Sequence, residues 1–151
     1  VRSRRQRQMC IRDSQETEKN PQVIYEGQYT PEQLPSVMKE GWGLVWDGGS
    51  VHECQGAFGG YLKFNNPHKA SLYLASGMPV IVWEQAAIAP WIREQKLGLT
   101  VKSLEEIPEL INRMTEEEYK EMLQNVKKTG EHLREGSSLK KITDEIESNE
   151  Q

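Results

Sequence analysis

Cysteine is scarce in this chain of 151 residues: Cys10 and Cys54 are the only two, too few for a disulfide framework. A reducing compartment, the cytoplasm, is therefore expected. Hydrophobic residues make up 36% and aromatic residues 7%, below the usual apolar share, which points to tails or a missing part around one domain. No apolar run approaches the length that spans a bilayer, and the Arg-rich start lacks the apolar stretch of a signal peptide, so no transmembrane segment is expected. Basic stripes are missing too. The first fourteen residues hold five Arg against one Asp, which leaves 14 bases and 22 acids, a net charge of −8, for the rest. Duplex nucleic acid and anionic membranes are bound through clustered Lys and Arg, so an acidic body argues against both. No Asp-x-Asp pair is present to hold Mg or Mn, and His52, Cys54 and His68 match no usual zinc spacing, so no metal is expected. Asp13, Asp47 and Asp144 are too scattered to form the acidic cluster of a phospho-receiver.

What is present divides clearly. Residues 1–14 have neither helical nor strand periodicity, and within them MCIRDS (9–14) resembles the conceptual translation of a transposon-end sequencing adapter. They are set aside as an artefact, with a disordered basic arm as the alternative reading. On the first reading the natural protein is cut at about Gln15 and its upstream sequence is missing. Residues 15–22 form a linker or truncated start, and 23–148 a single domain. In that domain VIY (23–25) is a predicted strand. Thr30, Pro31 and Gln33 hold the N-cap, first-turn and capping-box places of a helix running to about Lys39. GLVW (43–46) is the next strand. A Gly-rich loop over 47–66 leads to a helix that starts near Pro67 and closes at Gly77.

PVIVW (79–83) is an unbroken apolar strand, as for a parallel strand covered on both faces, and should be central. A helix over 86–95, a strand over 98–101, a helix capped by Ser103 with Glu106 at the capping-box place, and a long polar helix capped by Thr115 complete the pattern. A last amphipathic stretch covers 139–146. Strands alternating with helices imply right-handed crossovers. The predicted fold class is α/β, a Rossmann-like parallel sheet with helices on both faces.

In such a sheet ligands sit outside the carboxyl ends of the strands, where free N–H groups meet the positive end of a helix dipole. Residues 65–71 occupy such a place. Lys69 at a helix start opposes the dipole, a penalty that a bound diphosphate would reverse. The Ser71 hydroxyl and the amides of Lys69, Ala70 and Ser71 could complete a phosphate cradle, with Asn65 and Asn66 holding the loop or touching the sugar. Asn66 as a plain N-cap and Lys69 as a solvated side chain account for the same residues. Trp42, Trp46, Trp83 and Trp91 are read as core or edge packing, and Glu84 as either a functional strand-end carboxylate or a helix N-terminal acid.

GWGLVWDG (41–48), NNPHKASLYLASGMPVIVWEQAAIA (65–89) and GLTVKSLEEI (98–107) together resemble the C-terminal domain of bacterial glucosyltransferases that extend the glycan on serine-rich-repeat adhesins. The β-1,6-galactofuranosyltransferases of polysaccharide gene clusters share the pattern, and the resemblance covers about 23–146. It implies the C-terminal half of a GT-B glycosyltransferase, with a UDP-hexose as donor substrate, a glycan or glycoprotein as acceptor and no metal cofactor. It further implies that Pro67, His68, Lys69, Ala70 and Ser71 hold the diphosphate, that Tyr29 lies against the uracil ring, and that the Asp47-Gly48 turn sits near the donor sugar. A UDP-sugar epimerase of the same architecture and a non-catalytic nucleotide-binding module remain as alternatives, and an oligomer is left open.

Overall fold

The apolar run 79–83 does form the middle of the sheet. The computed structural model describes residues 29, 33–38, 40–48, 50–54, 60–64 and 68–134. The predicted strand at 23–25, Thr30, Pro31, Asn65, Asn66, Pro67 and the stretch 139–146 lie outside them. The chain forms two units, Val1–Thr30, of which only Tyr29 is described, and Pro31–Gln151. In chain order the described elements are α1 (Leu34–Val37), β1 (Gly43–Val45), α2 (His68–Ala75), β2 (Val80–Trp83), α3 (Ala89–Glu94), β3 (Gly98–Val101), α4 (Ile107–Arg113) and α5 (Glu116–Arg134). A 3-10 turn, Leu104–Glu106, leads into α4.

The three strands are parallel in the order β1-β2-β3, with Gly43 opposite Val80 and Val80 opposite Gly98. All four residues of β2 are buried, as a run without polar alternation requires. On β1 the pattern alternates: Gly43 and Val45 are buried, while Leu44 on the opposite face is 42% exposed. A Cβ on Gly43 would overlap the Tyr73 ring, so this glycine lets α2 lie directly on β1. Val45, Leu74, Val80, Val82, Ile88, Ile92, Leu97 and Val126 make the core, with Trp83 and Trp91 also buried. Trp42 and Trp46 pack at its edge, Trp42 with its ring 5.8 Å from that of Tyr119.

Helix ends follow local chemistry. Gly77 ends α2 at φ +81°, where its amide donates to the Leu74 carbonyl (3.0 Å) and the Met78 amide to the Tyr73 carbonyl (2.9 Å). That is a Schellman closure, which favours glycine because it has no Cβ. The Arg134 guanidinium donates to the Ala75 carbonyl and adds positive charge at the same end. At the start of α5 the Glu118 amide donates to Thr115 Oγ1 (3.2 Å) and the Thr115 amide to Glu118 Oε2 (2.8 Å), a reciprocal capping box. The bonds from Thr115 hold the Glu118 carboxyl below its usual range.

Two predicted helix starts differ. The helix predicted from Ala86 begins at Ala89: the Ala86 amide turns back to the Trp83 carbonyl, the Ala87 amide goes to Leu62, and Pro90, with no N–H to lose, sits in the first turn. Ser103 accepts from the Glu105 amide as a cap, but Glu106 reaches the Lys102 amide, one residue before the expected position.

α2 and α5 touch through glycine. A Cβ on Gly130 would lie 2.5 Å from the Leu74 carbonyl oxygen. Alanine normally stabilises a helix interior by about 1 kcal/mol over glycine. Here Gly130→Ala is expected to destabilise by about 1 kcal/mol or more, because the clash is with backbone that cannot rotate away. Urea unfolding checks it: a midpoint above wild type would mean that the two helices do not meet this closely.

Candidate functional site at the strand ends

The parallel strands bring three chain exits to one edge: Trp46-Asp47 after β1, Glu84 after β2 and Lys102 after β3. The segment after β1 is fastened across this edge. Its Val51 carbonyl accepts from the Leu104 amide (2.8 Å), and His52 Nδ1 stands 3.2 Å from Glu105 Oε2, so it spans from β1 to the turn that follows β3. Within it the Trp46 indole N–H donates to the Ser50 carbonyl at 2.9 Å. The buried Cys54 thiol meets the Asp47 amide. Burial pushes its pKa up, the bond from that amide opposes the rise, and the Asp47 charge adds a smaller push upward. Glu84 continues the ladder, its amide donating to the Val101 carbonyl at 2.9 Å, with a half-buried side chain.

A second piece comes from residues 60–64. Leu62 is buried in the core and its carbonyl accepts from the Ala87 amide at 2.9 Å, which pins this turn to the chain leaving β2. Lys63 Nζ lies 5.2 Å from the centre of the Trp83 ring, a cation–π contact at the last residue of β2. Tyr61 and Phe64 remain exposed.

α2 then brings the predicted phosphate segment to the same edge. His68 and Lys69 are exposed, Ser71 is half-buried, and Ala70 is fully buried against the core. Lys69 Nζ stands 3.9 Å from Asp47 Oδ1, with 62% of the lysine side chain and 36% of the aspartate side chain exposed. Two residues singled out separately are thus neighbours. The first turn of α2 carries no acidic residue of its own, so the carboxylate facing Lys69 comes from the loop after β1. Tyr29 is 38% exposed in the other unit, and Asn65, Asn66 and Pro67 lie outside the described residues.

The contacts that sequence reasoning missed are the Lys63–Trp83 pair and the Val51–Leu104 bond. Both join residues distant in sequence, and no local pattern announces them. Among the described residues no group of three or more His, Cys, Asp or Glu side chains is arranged to hold a metal ion. Nor is any described helix long and apolar enough to cross a membrane. A groove of about 470 Å³ lies elsewhere, along β3 between Arg93, Leu99, Leu110, Met114 and Met122. The strand-end edge is the better candidate, because there a helix start, a lysine and three chain exits converge.

Residues 3–146 match the family described as "Glucosyltransferase 3-like, C-terminal domain". The chain belongs to this family. The matched span contains all three motifs at 41–48, 65–89 and 98–107 that carry the resemblance. As a member of the glucosyltransferase 3-like family it is 46% identical over 105 residues to the β-1,6-galactofuranosyltransferase WbbI of Escherichia coli (strain K12), covering 70% of this chain and 32% of that protein. It is 40% identical over 132 residues to glucosyltransferase 3 of Streptococcus gordonii, covering 85% and 39%. To glucosyltransferase 3 of Streptococcus parasanguinis it is 32% identical over 127 residues, covering 83% and 36%. The chain thus spans about a third of the length of these relatives, and the parallel α/β sheet fits a glycosyltransferase-related C-terminal domain.

Proposed function

We propose that this domain binds the nucleotide of a UDP-hexose, UDP-glucose or UDP-galactofuranose, within a two-domain GT-B enzyme of the cytoplasm that transfers the hexose to a glycan or glycoprotein. The observation that carries the reading is the Lys69 ammonium in the first turn of α2, beside the carboxyl ends of parallel strands. A cation there opposes the helix dipole by roughly 0.3–1 kcal/mol. A diphosphate would turn that opposition into cooperation, since lysine, dipole and free amides would then all face the anion.

The chemistry follows from that arrangement. As the bond from the anomeric carbon to the β-phosphate oxygen breaks, negative charge gathers on the departing UDP. An ammonium beside an oriented helix start stabilises the charge where it develops and needs no metal. His68 directly precedes Lys69 and Ser71 follows it by two residues, and both supply further donors; Asn65, Asn66 and Pro67 precede them in sequence. The Asp47-Gly48 turn lies on the sugar side of the bound donor.

Calorimetric titration of the 151-residue chain with UDP, UMP and uridine tests this. UDP is expected to bind at least about a hundredfold more tightly than uridine, the equivalent of about 2.8 kcal/mol. Equal affinities for UDP and uridine would contradict a diphosphate site.

A further inference from the structure

Asp47 meets Lys69 at the strand-end edge, and its own surroundings explain why it is there. It lies two residues past the end of β1, and the loop behind it is fastened by the Trp46–Ser50 and Leu104–Val51 bonds. The backbone that carries this short side chain is therefore held at the strand end, within reach of the helix start. At 3.9 Å it partly neutralises the lysine.

We infer that the Asp47 carboxylate competes with the diphosphate for the Lys69 ammonium, holding the lysine while the site is empty and easing departure of the UDP product. The inference rests on the reading of Lys69 as the diphosphate contact. Its physical basis is that two anions cannot both approach one ammonium closely without repelling each other. Whichever leaves is replaced by the other, so the lysine is never left bare at the positive end of the helix dipole. Asp47 then sets how tightly product is held. Because both side chains are substantially exposed the competition is modest and screened by salt.

The test uses the whole chain and isothermal titration with UDP and with uridine. Asp47→Asn removes the charge and keeps the shape, and is expected to tighten UDP binding about three- to fivefold at low salt. Uridine, with no phosphate, should bind as before, and the gain should shrink as salt is raised. Asp47→Glu keeps the charge and should stay near wild-type affinity. The inference is overturned if Asp47→Asn leaves UDP affinity unchanged or weaker, if it tightens uridine equally, or if Asp47→Glu gives the same gain. Lys69→Ala separates the two levels: UDP binding unchanged in that variant removes the diphosphate reading itself, whereas its loss without a gain in Asp47→Asn removes only the competition.

Discussion

Gly98→Ala is expected to cost roughly 3 kcal/mol or more, at or beyond the upper end of ordinary overpacking. Gly98 stands opposite Val80 in the parallel ladder, and a Cβ there would lie 1.8 Å from the Val80 carbonyl oxygen and 2.7 Å from its carbon. Neither atom can rotate aside. β2 is the central strand, fully buried, bonded to β1 on one edge and to β3 on the other, so it cannot retreat without disturbing both pairings. Instead β3 must move off, which breaks the bond from the Val80 amide to the Leu97 carbonyl at 3.1 Å and uncovers Leu97, a fully buried residue. Domains are commonly stable by only about 5–15 kcal/mol, so the variant should lose a large share of its margin. Gly60→Ala is the control, because a Cβ on Gly60 meets nothing within 4 Å. Denaturant unfolding of the two variants decides: equal midpoints would mean that β3 does not pair with β2 in this register.

Much of this fold could be read from local chemistry. β2 was legible because five successive apolar residues, 79–83, allow no solvent-facing side. The end of α2 was legible because Gly77 is the residue that a left-handed C-cap favours, and the start of α5 because Thr115 is a residue that an N-cap favours. What escaped depends on partners far along the chain. The helix start at Ala89 was misplaced because the Ala87 amide is taken by Leu62, a bond that no window around residue 87 reveals. The glycines at 43, 98 and 130 show their role only when the neighbours that need their bareness, Tyr73, Val80 and Leu74, are in place.

The candidate site was legible to a different degree. Lys69 was picked out by its position at a helix start, and Asp47 by the family resemblance. Their meeting needs the pairing of β1 with β2, which brings the exit of one next to the helix that precedes the other. The fastening of residues 50–54 to the turn after β3 was not legible at all, since it rests on a single backbone bond between Val51 and Leu104 and the exposed His52–Glu105 pair.

Lys69→Ala carries the other large expected effect. A charge-assisted contact to phosphate contributes through both its hydrogen bond and its charge, and its removal leaves the anion facing only the dipole and neutral donors. A loss of roughly 3 kcal/mol is about a hundredfold in affinity. The fold should be untouched, because the lysine side chain is 62% exposed and its ion pair with Asp47 is a surface one. Removing a cation from the first turn of α2 should even favour the helix slightly. Binding and stability are thus expected to move in opposite directions, which a merely structural lysine would not produce. The deciding measurement is the UDP affinity of Lys69→Ala beside that of the unaltered chain, by isothermal titration at low salt. A drop of about a hundredfold with an unchanged or raised unfolding midpoint is the predicted result, and a variant that binds UDP as well as the unaltered chain would contradict it.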